Sequence, residues 1–285
     1  LIILISPLII LIRIINNKED KIRYKEKFCF FSKKRGRGKL IWFHGSSVGE
    51  ILSIIPLIEK FEKKKSINKI LVTSSTLSSS KVLSRFRLKK TIHQFFPVDS
   101  YSLTKKFLNY WKPSLAIFIE SEIWPNMIFE IKEKKLPLIL LNARITNKSY
   151  KKWKKIKFFS IKLFSMFDLC LPQNQETYKY LKNLGSKNLK LLGNLKLCEM
   201  KQNNYEKLNS SQINFFKSKK ILFTGYSTHQ NEENFCADIF TNLRKNKNEV
   251  LILIPRHIER ADLIEKELSN KSLIVYKHSS KKKIG

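Results

Sequence analysis

The sequence is poor in glycine, with 8 among 285 residues, and it lacks the common nucleotide and hydrolase motifs. It contains no GxxxxGK[ST], no GxGxxG after its first predicted strand, no GxSxG and no HExxH. These motifs carry P-loop phosphoryl transfer, nicotinamide redox chemistry, serine hydrolysis and zinc proteolysis. Their absence removes the usual support for all four classes.

Cysteine is also scarce, and its four occurrences are scattered along the chain. None forms a CxxC pair, and none has a histidine at metal-ligand spacing. The pattern argues against a zinc site or a disulfide framework and fits a reducing compartment. The cysteines are Cys29, Cys170, Cys198 and Cys236.

Acidic residues are few: 56 Lys and Arg stand against 23 Asp and Glu, giving a formal charge of +33. Such a charge attracts polyanions, including nucleic acids and anionic membranes. However, lysine is enriched almost uniformly, and aromatic residues are not interleaved with it as in RNA-binding modules. We therefore expect no nucleic-acid partner and a secondary attraction to anionic membrane lipid.

The first fifteen residues, "LIILISPLIILIRII", are nearly all apolar. The run is shorter than the roughly 20 residues that span a bilayer. Basic residues follow it, as expected on the cytoplasmic side of a membrane. Residues 1–16 are predicted to be a membrane anchor; the alternative is a buried first helix.

Beyond residue 38, short apolar runs alternate with amphipathic stretches, which predicts an α/β fold with a parallel sheet. Predicted strands lie at 40–44, 69–75, 93–98, 115–120, 136–141, 168–173, 189–193, 220–225, 249–255 and 272–277. Predicted helices lie at 50–64, 101–111, 123–134, 148–166, 175–184, 230–245 and 258–269.

The polar, weakly periodic segment 196–218 is predicted to connect two domains. The first, 38–195, holds seven predicted strands. The second, 219–285, holds three, which is few for a doubly wound domain. We expect this second domain to be incomplete.

The stretch "IWFHGSSVGE" places small polar residues and an acid directly after the first strand. Its small residues let backbone N–H groups approach an anion, and Ser46 and Ser47 add hydroxyl donors. Glu50 follows Gly49 into the first helical turn, where the helix dipole favours an ionised carboxylate. Glu50 is either a general base or an acid that only stabilises the helix.

Two further strand ends carry polar side chains. In "IFIESEIWPN", Glu120 and Glu122 lie on one face if the chain stays extended, and close acids shift each other's pKa. The alternative is a solvated pair. In "LNARIT", Asn142 and Arg144 are suited to holding a phosphate or carboxylate.

The later strands end in a similar way. "FTGYSTHQNEEN" has the layout of an anion site, with Gly225, Ser227 and Thr228 between a strand and a helix. "ILIPRHIER" places Arg256 and His257 just past the next strand. A single histidine there is usually structural, but together the two side chains suit a nucleotide phosphate.

Six motifs occur in a fixed order along the chain: "WFHGSSVGE", "ESEIWPN", "LNARIT", "GNLK", "STH" and "PRHIER". In this order and spacing the sequence resembles the 3-deoxy-D-manno-octulosonic acid (Kdo) transferases of Gram-negative bacteria. The resemblance implies a GT-B glycosyltransferase with two Rossmann-like domains. It also implies an enzyme on the cytoplasmic face of the inner membrane that transfers Kdo from CMP-Kdo to the lipid A precursor, lipid IVA. The resemblance further implies that the reaction inverts the anomeric centre and needs neither a metal nor a cofactor.

The resemblance also implies roles for individual residues. Glu50 matches the catalytic base, and either Glu120 or Glu122 matches a second required acid. Arg256 matches a donor-nucleotide contact. The acceptor-binding residues are expected to be Ser46, Ser47, Gly49, Asn142 and Arg144, and the donor-binding residues Gly225, Ser227, Thr228, Arg256 and His257.

Two departures from the family pattern bear on function. The Gly-Gly and Asn-x-Leu-Glu segments that follow in the family do not occur here, and Gly45-Ser46 replaces the frequent Ala-Val. We expect the sequence to be a fragment of a longer chain or the product of a decaying gene. The alternative function is an inactive remnant that binds membrane or anionic glycolipid without transferring sugar.

Overall fold

A computed structural model describes residues 2–195 and 210–277 of the chain. The chain divides into two compact units, 1–200 and 201–285. Of the predicted connection 196–218, residues 196–209 lie outside the described residues. Its last part forms a helix, α9 (Ser210–Ser218). The predicted domain bounds stay predictions.

In the described part of the first unit, six strands form one parallel sheet in the order β3-β2-β1-β4-β5-β6. This is the strand order of a doubly wound Rossmann sheet, so the α/β prediction is confirmed. The strands are β1 (Leu40–His44), β2 (Lys69–Ser74), β3 (Thr91–Phe95), β4 (Leu115–Ile119), β5 (Leu138–Ala143) and β6 (Leu169–Pro172).

Helices cover both faces of this sheet because its strands are apolar on both faces. On β1, Leu40 and Trp42 belong to one buried cluster, while Ile41 and Phe43 belong to the other. Each large apolar side chain that is fully buried contributes about 1.5–3 kcal/mol. The helices are α1 (Ile2–Ile15), α2 (Val48–Glu62), α3 (Leu77–Leu83), α4 (Tyr101–Trp111), α5 (Pro125–Glu133), α6 (Asn147–Lys155), α7 (Lys157–Phe164) and α8 (Gln175–Asn183).

Each cluster takes residues from particular helices. Helices α4, α5, α7 and α8 contribute to the cluster that contains Trp42. Helices α2 and α3 contribute to the cluster that contains Phe43. The sheet is thereby held rigidly between two layers, and the turns after its strands project from a fixed edge.

Two sequence predictions for this unit are wrong in detail, and one helix was missed. Instead of a strand at 189–193, only Leu189 pairs with the sheet, through an isolated bridge to Cys170. The single helix predicted at 148–166 is two helices separated by Ile156, whose backbone is not helical (φ −112°, ψ 48°). Helix α3 was not predicted, because its Ser-rich sequence has little apolar periodicity.

The first helix, α1, has 14 residues. A short 3-10 helix, Arg23–Phe28, follows it and lies against β3, where buried Glu26 accepts a hydrogen bond from the N–H of Phe95 (2.9 Å). Among the helices described by the structure, none combines the length and the apolar content needed to cross a membrane. The N-terminal anchor at 1–16 therefore stays a prediction.

The second unit pairs two parallel strands, β7 (Lys220–Thr228) and β8 (Glu249–Pro255). Helix α10 (Glu232–Leu243) and helix α11 (Ala261–Ser269) provide its small buried cluster of Ala237, Ile264 and Leu268, and a 3-10 turn, Ile258–Arg260, precedes α11. The strand predicted at 272–277 is wrong, since these residues are not in a strand.

Candidate functional site

The sheet order creates a crevice between β1 and β4. The chain leaves β1 toward one edge of the sheet and β4 toward the other, so the turns after these strands diverge. Ligands of open parallel sheets bind at such a switch point, beyond the carboxyl ends of the strands. The "HGSSVGE" and "ESEIW" turns both begin there.

Glu50 is fixed at the start of α2. Ser47 caps the helix, and its hydroxyl oxygen accepts a hydrogen bond from the Glu50 N–H (3.2 Å). The Glu50 carboxylate in turn accepts hydrogen bonds from the Ser46 N–H (2.7 Å) and the Ser47 hydroxyl (2.9 Å). This reciprocal bonding resembles a capping box and holds the carboxylate in one position.

Gly45 lies very close to the side chain of Glu50. A Cβ atom at Gly45 would lie 3.1 Å from the Cβ of Glu50 and 3.6 Å from the Cγ1 of Ile119 at the end of β4. The side chain of Glu50 therefore packs against the turn that follows β1.

The electrostatic environment makes Glu50 a better proton acceptor than an ordinary carboxylate. Burial raises the pKa of Glu50, and the nearby negative charge of Glu122, with a smaller effect of Glu120, raises it further. Hydrogen bonds from Ser47 and Ser46 oppose the rise without cancelling it. A raised pKa in a site crevice is typical of a general acid or base.

Glu122 has the opposite environment, although it is also largely buried. Its Oε2 accepts hydrogen bonds from the Ser46 hydroxyl (2.5 Å) and the Trp124 indole N–H (2.8 Å), and lies 3.0 Å from Nε2 of His44. Burial alone would raise the pKa of Glu122, but His44, Ser46 and Trp124 outweigh it and lower the pKa below its usual value. Glu122 therefore stays ionised beside Glu50.

Glu120 and Glu122 do not lie on one face as an extended chain would place them. The backbone of Glu120 is left-handed (φ 54°), so the chain turns directly after β4. Asn142, at the end of β5, is also left-handed (φ 53°), and its side-chain amide donates to Glu120 Oε1 (3.4 Å). Such backbone strain often accompanies functional sites.

The remaining residues predicted from the first unit are spread around this cluster. Ser47, Gly49 and Arg144 are exposed beside it. Asn142 is buried, and its carbonyl oxygen accepts from the N–H of Leu195 (3.1 Å).

The sequence analysis missed two buried polar residues at this edge. His44 ends β1 directly before Gly45, and Asp99 accepts hydrogen bonds from the first N–H groups of α5, at Asn126 (3.1 Å) and Met127 (2.8 Å). Burial raises the pKa of Asp99 despite these bonds. The signal that could have found them is their place at strand ends: His44 is the last residue of the predicted strand 40–44, and Asp99 directly follows the predicted strand 93–98.

In the second unit the sequence predicted an anion site after β7. Beside it, the structure places an ion pair between Glu233 and Arg260. Thr228 donates through its hydroxyl to Glu233 Oε1 (2.9 Å), and Arg260 donates to both Glu233 oxygens (3.0 and 3.2 Å). Burial would raise the pKa of Glu233, but Arg260 and Thr228 outweigh it and lower that pKa. Glu233 and Arg260 were not among the predicted residues.

The other residues predicted as donor contacts have separate positions. Gly225 lies in β7, where an added Cβ would lie 2.8 Å from Leu253 Cδ2. Ser227 has a left-handed backbone (φ 58°). Arg256 and His257 have exposed side chains just after β8, and the Arg256 N–H donates to the Thr228 carbonyl (3.0 Å).

Across residues 2–195 and 210–277, no three His, Cys, Asp or Glu side chains are grouped so that they could hold a metal ion. The absence of a metal from the reaction stays a prediction, because the reaction itself is proposed.

Comparison with known proteins gives one family. A model described as "3-Deoxy-D-manno-octulosonic-acid transferase (kdotransferase)" matches residues 22–198. The 3-deoxy-D-manno-octulosonic acid transferase of Rickettsia bellii is 39% identical over 254 residues, covering 88% of this chain and 60% of that protein. That of Rickettsia typhi is 38% identical and covers 79% of this chain and 48% of its own length.

A more distant relative is the probable mitochondrial 3-deoxy-D-manno-octulosonic acid transferase of Arabidopsis thaliana, 30% identical over 98% of this chain and 65% of that protein. The chain thus spans about half to two thirds of the length of the curated relatives it matches.

Two solved structures share the fold. The Staphylococcus aureus MnaA–UDP complex is 13% identical, with a TM-score of 0.55, over 82% of this chain and 66% of that one. The putative UDP-N-acetylglucosamine 2-epimerase of Listeria monocytogenes is 11% identical, with a TM-score of 0.56, over 80% and 66%. These likenesses concern the fold alone, and they confirm the predicted α/β architecture of the GT-B type.

Proposed function

This chain belongs to the 3-deoxy-D-manno-octulosonic acid (Kdo) transferase family, and on that premise we propose that it transfers Kdo from CMP-Kdo to lipid IVA in lipopolysaccharide core biosynthesis. The observation that carries the proposal is the position of Glu50. Its buried carboxylate, with a raised pKa, lies at the switch point of the sheet beside an ionised acid. This is the arrangement that a proton-accepting base requires.

In the proposed reaction Glu50 accepts the proton of an acceptor hydroxyl. As the proton leaves, the hydroxyl oxygen forms a bond to C2 of Kdo. The bond between C2 and the phosphate oxygen of CMP breaks, and its electron pair leaves with CMP. Attack on the face opposite to the leaving group inverts the anomeric centre. The proposed step uses no oxidant, metal or cofactor.

Glu122 supports Glu50 rather than competing with it. Enzymes assign acid and base roles by pushing the pKa values of neighbouring groups apart. Here the pKa of Glu50 is raised and that of Glu122 is lowered. Between Glu120 and Glu122, we propose Glu122 as the second required acid, because Glu122 is hydrogen-bonded to Ser46, whose N–H holds Glu50.

For the acceptor, we propose contacts with the exposed residues of the turns beside Glu50. Ser47, Gly49 and Arg144 are exposed there, and a guanidinium suits the phosphate groups of a lipid A precursor. Asn142 is buried between Glu120 and Leu195, which supports a role in shaping the turn.

For the donor, we propose that Arg256, His257 and Ser227 bind the CMP phosphate. Exposed cationic and hydroxyl groups after a strand can stabilise the charge that develops on the leaving group. Thr228 and Gly225 support this turn indirectly, since Thr228 bonds to Glu233 and Gly225 allows the packing of Leu253.

We also propose that the enzyme works on the cytoplasmic face of the inner membrane, against anionic lipid. Helix α1 exposes Leu8 and Ile15. Helices α6 and α7 form a second apolar and basic surface, with Phe158 87% exposed and Ile156 50% exposed. The exposed lysines of this α6–α7 surface are Lys148, Lys151, Lys152, Lys154, Lys155, Lys157 and Lys162.

Apolar side chains surrounded by lysine are typical of surfaces that lie on anionic membranes. Helix α6 begins just after β5, at the edge of the sheet that carries Glu50, so this surface would bring the site to the leaflet that holds the glycolipid. Phe158→Ser should weaken flotation with phosphatidylglycerol vesicles, whereas Phe235→Ser, exposed in the second unit, should not. Equal flotation of both variants would contradict this surface.

The proposed function is tested by incubating the protein with CMP-Kdo and lipid IVA in mixed micelles. Mass spectrometry should show lipid IVA gaining one or more Kdo units, and NMR should show an inverted anomeric configuration. Binding of lipid IVA without any product would favour the alternative of an inactive glycolipid-binding protein. Transfer of Kdo to a different acceptor would contradict lipid IVA as the acceptor but would leave the proposed transferase activity standing.

A further inference from the structure

The ring of His44 is held in one orientation by aromatic neighbours. It is fully buried and stacks on Phe96, with ring centroids 3.8 Å apart and planes at 18°. Phe118 contacts it edge-on at 5.3 Å, and Trp124 lies at 6.2 Å. The two ring nitrogens therefore face fixed partners.

Nδ1 of His44 faces the carbonyl and the hydroxyl of Thr73. It lies 3.3 Å from the Thr73 carbonyl and 3.0 Å from the Thr73 hydroxyl oxygen. That hydroxyl donates its single hydrogen to the Phe43 carbonyl (3.3 Å) and accepts from the Trp42 indole N–H (2.9 Å). The Thr73 carbonyl can only accept, and a hydroxyl whose hydrogen is directed at Phe43 also accepts, so we assign a hydrogen to Nδ1.

Nε2 of His44 faces an acid. It lies 3.0 Å from Glu122 Oε2, the oxygen that already accepts from Trp124 and Ser46. An indole N–H can only donate, and an oxygen that accepts two such bonds is best satisfied as a carboxylate. The proton between the two groups therefore resides on Nε2.

The contact is an ion pair more than a directed hydrogen bond. Nε2 is buried and has no aligned hydrogen-bond acceptor among the described residues. At 3.0 Å the attraction between the charges does not depend on alignment, and burial reduces its screening.

We propose that His44 is a positioning residue of the transfer reaction: its ring is protonated on both nitrogens, and its charge keeps Glu122 ionised and oriented beside Glu50. The proposal rests on the proposed function, because His44 acts on the reaction only through Glu50, the proposed base. An ionised Glu122 disfavours negative charge on Glu50 and so makes it a stronger proton acceptor. Without the charge of His44, the pKa of Glu122 would rise, because burial would then be opposed only by the hydrogen bonds from Ser46 and Trp124, and this effect would weaken.

Among the described residues, the charged groups coupled to His44, directly or through Glu122, are acids from three segments. Glu122 follows β4, Asp99 precedes α4 and feels the charge of His44, and Glu50 on α2 feels the charge of Glu122. The turn after β1 and the strand β2 contribute neutral partners, Ser46 and Thr73. A protonated imidazole thus balances negative charge that the crevice otherwise concentrates.

Nitrogen-15 NMR of histidine-labelled protein tests the protonation directly and needs no substrate. The His44 ring should show two protonated nitrogens at pH 7.5, and Glu122→Gln should return it to the neutral form. A neutral His44 in the unsubstituted protein at pH 7.5 would overturn the proposal. This measurement stands even if no Kdo transfer is found, so the two proposals fail separately.

Kinetics test the positioning role with two variants. The amide of His44→Asn reproduces the donor at Nδ1, whereas that of His44→Gln reproduces the donor at Nε2; neither carries charge. We expect His44→Asn to lower kcat by about 10- to 100-fold, within the range for perturbed acid–base catalysis. The acid limb of the pH–rate profile should move to lower pH, while KM for CMP-Kdo changes little. His44→Gln should show the same pH shift with a smaller loss of kcat.

A second buried histidine provides the matched control. Arg23 donates to Nδ1 of His93 (2.9 Å), and burial together with Arg23 lowers the pKa of His93 to about 3, so this ring is neutral. His93→Asn should reduce thermal stability but leave the acid limb in place. If His44→Asn and His93→Asn both lowered kcat without shifting the acid limb, His44 would be structural only and the proposal would be wrong.

Discussion

Glu50 and Glu233 occupy the same kind of place in the two units and have opposite surroundings. Each is a buried acid in the first turn of the helix that follows a parallel strand. The carboxylate of Glu233 accepts two hydrogen bonds from Arg260, and its pKa is lowered. Glu50 faces two other acids and no arginine bonds to it in the described structure, and its pKa is raised.

The difference shows that location alone does not give a carboxylate its role. A buried acid with a bidentate arginine stabilises the fold and has no remaining tendency to accept a proton. A buried acid beside other acids opposes folding at neutral pH but accepts a proton readily. The two units thus contain a structural and a reactive form of one arrangement, and four changes test that contrast.

The largest expected effect is on turnover. Glu50→Gln should lower kcat for Kdo transfer by about 100- to 10,000-fold, because removing a general base costs roughly that factor. The measurement is transfer of labelled Kdo from CMP-Kdo at saturating acceptor. Glu233→Gln should leave more than a tenth of the rate. Comparable losses of kcat in both variants would contradict the proposed difference between the two acids.

The next effect is on the stability of the fold. Glu233→Gln replaces a carboxylate that Arg260 and Thr228 contact with a neutral amide. Hydrogen bonds to charged groups contribute about 1.5–3 kcal/mol, and the free energy of unfolding should fall by about that amount. Urea titration followed by circular dichroism provides the measurement. Arg260→Lys, which cannot bond to both oxygens, serves as the intermediate case; a stability unchanged in both variants would contradict the structural role.

The third effect is a difference in sign between two pH dependences. Because its folded pKa is raised, Glu50 stabilises the fold below the pKa of the unfolded chain and loses this contribution as pH rises through the raised value. Because its folded pKa is lowered, Glu233 stabilises the fold above the unfolded pKa and loses this contribution as pH falls through the lowered value.

Relative to the unsubstituted protein, Glu50→Gln should therefore gain stability between pH 4 and pH 7.5, and Glu233→Gln should lose it. Urea midpoints at both pH values and constant ionic strength measure the two slopes. Any constant effect of each amide on packing cancels in the slope. Slopes of the same sign would mean that the two acids have similar environments.

The smallest effects concern one glycine in each unit, Gly45 directly after β1 and Gly225 within β7. Gly225→Ala would place a Cβ 2.8 Å from Leu253 Cδ2, and relieving this overpacking should cost about 1 kcal/mol of unfolding free energy without changing kcat. Gly45→Ala would press on the Cβ of Glu50 at 3.1 Å, so kcat should fall a few-fold while stability stays nearly constant. Thermal unfolding and the transfer assay together separate the two outcomes.

The strands and most helices of the first unit could be predicted, because continuous apolar runs are required by a sheet that is buried on both faces. Local signals failed where a single backbone angle decides the structure. Glu120 turns left-handed after β4, so Glu120 and Glu122 part instead of sharing a face. The nonhelical Ile156 divides one apparent helix in two.

The site could be located but not completed from the sequence. Glu50 and Glu122 were identifiable as acids after strands, and the approach of Glu50 to its neighbours follows from the sheet order. The roles of His44 and Asp99 depend on partners far along the chain, Thr73 and Met127, that no local pattern indicates. In the second unit, no local pattern indicated that Glu233 pairs with Arg260, which lies 27 residues later in the sequence.

The proposed base is also part of the cap that begins α2. A neutral carboxyl accepts hydrogen bonds about half as strongly as an ionised one. In the proposed reaction, the proton that reaches Glu50 therefore weakens its bonds to the Ser46 N–H and the Ser47 hydroxyl. The start of α2 would then open most easily just after transfer, so the chemical step itself would loosen the wall of the crevice when product must be released.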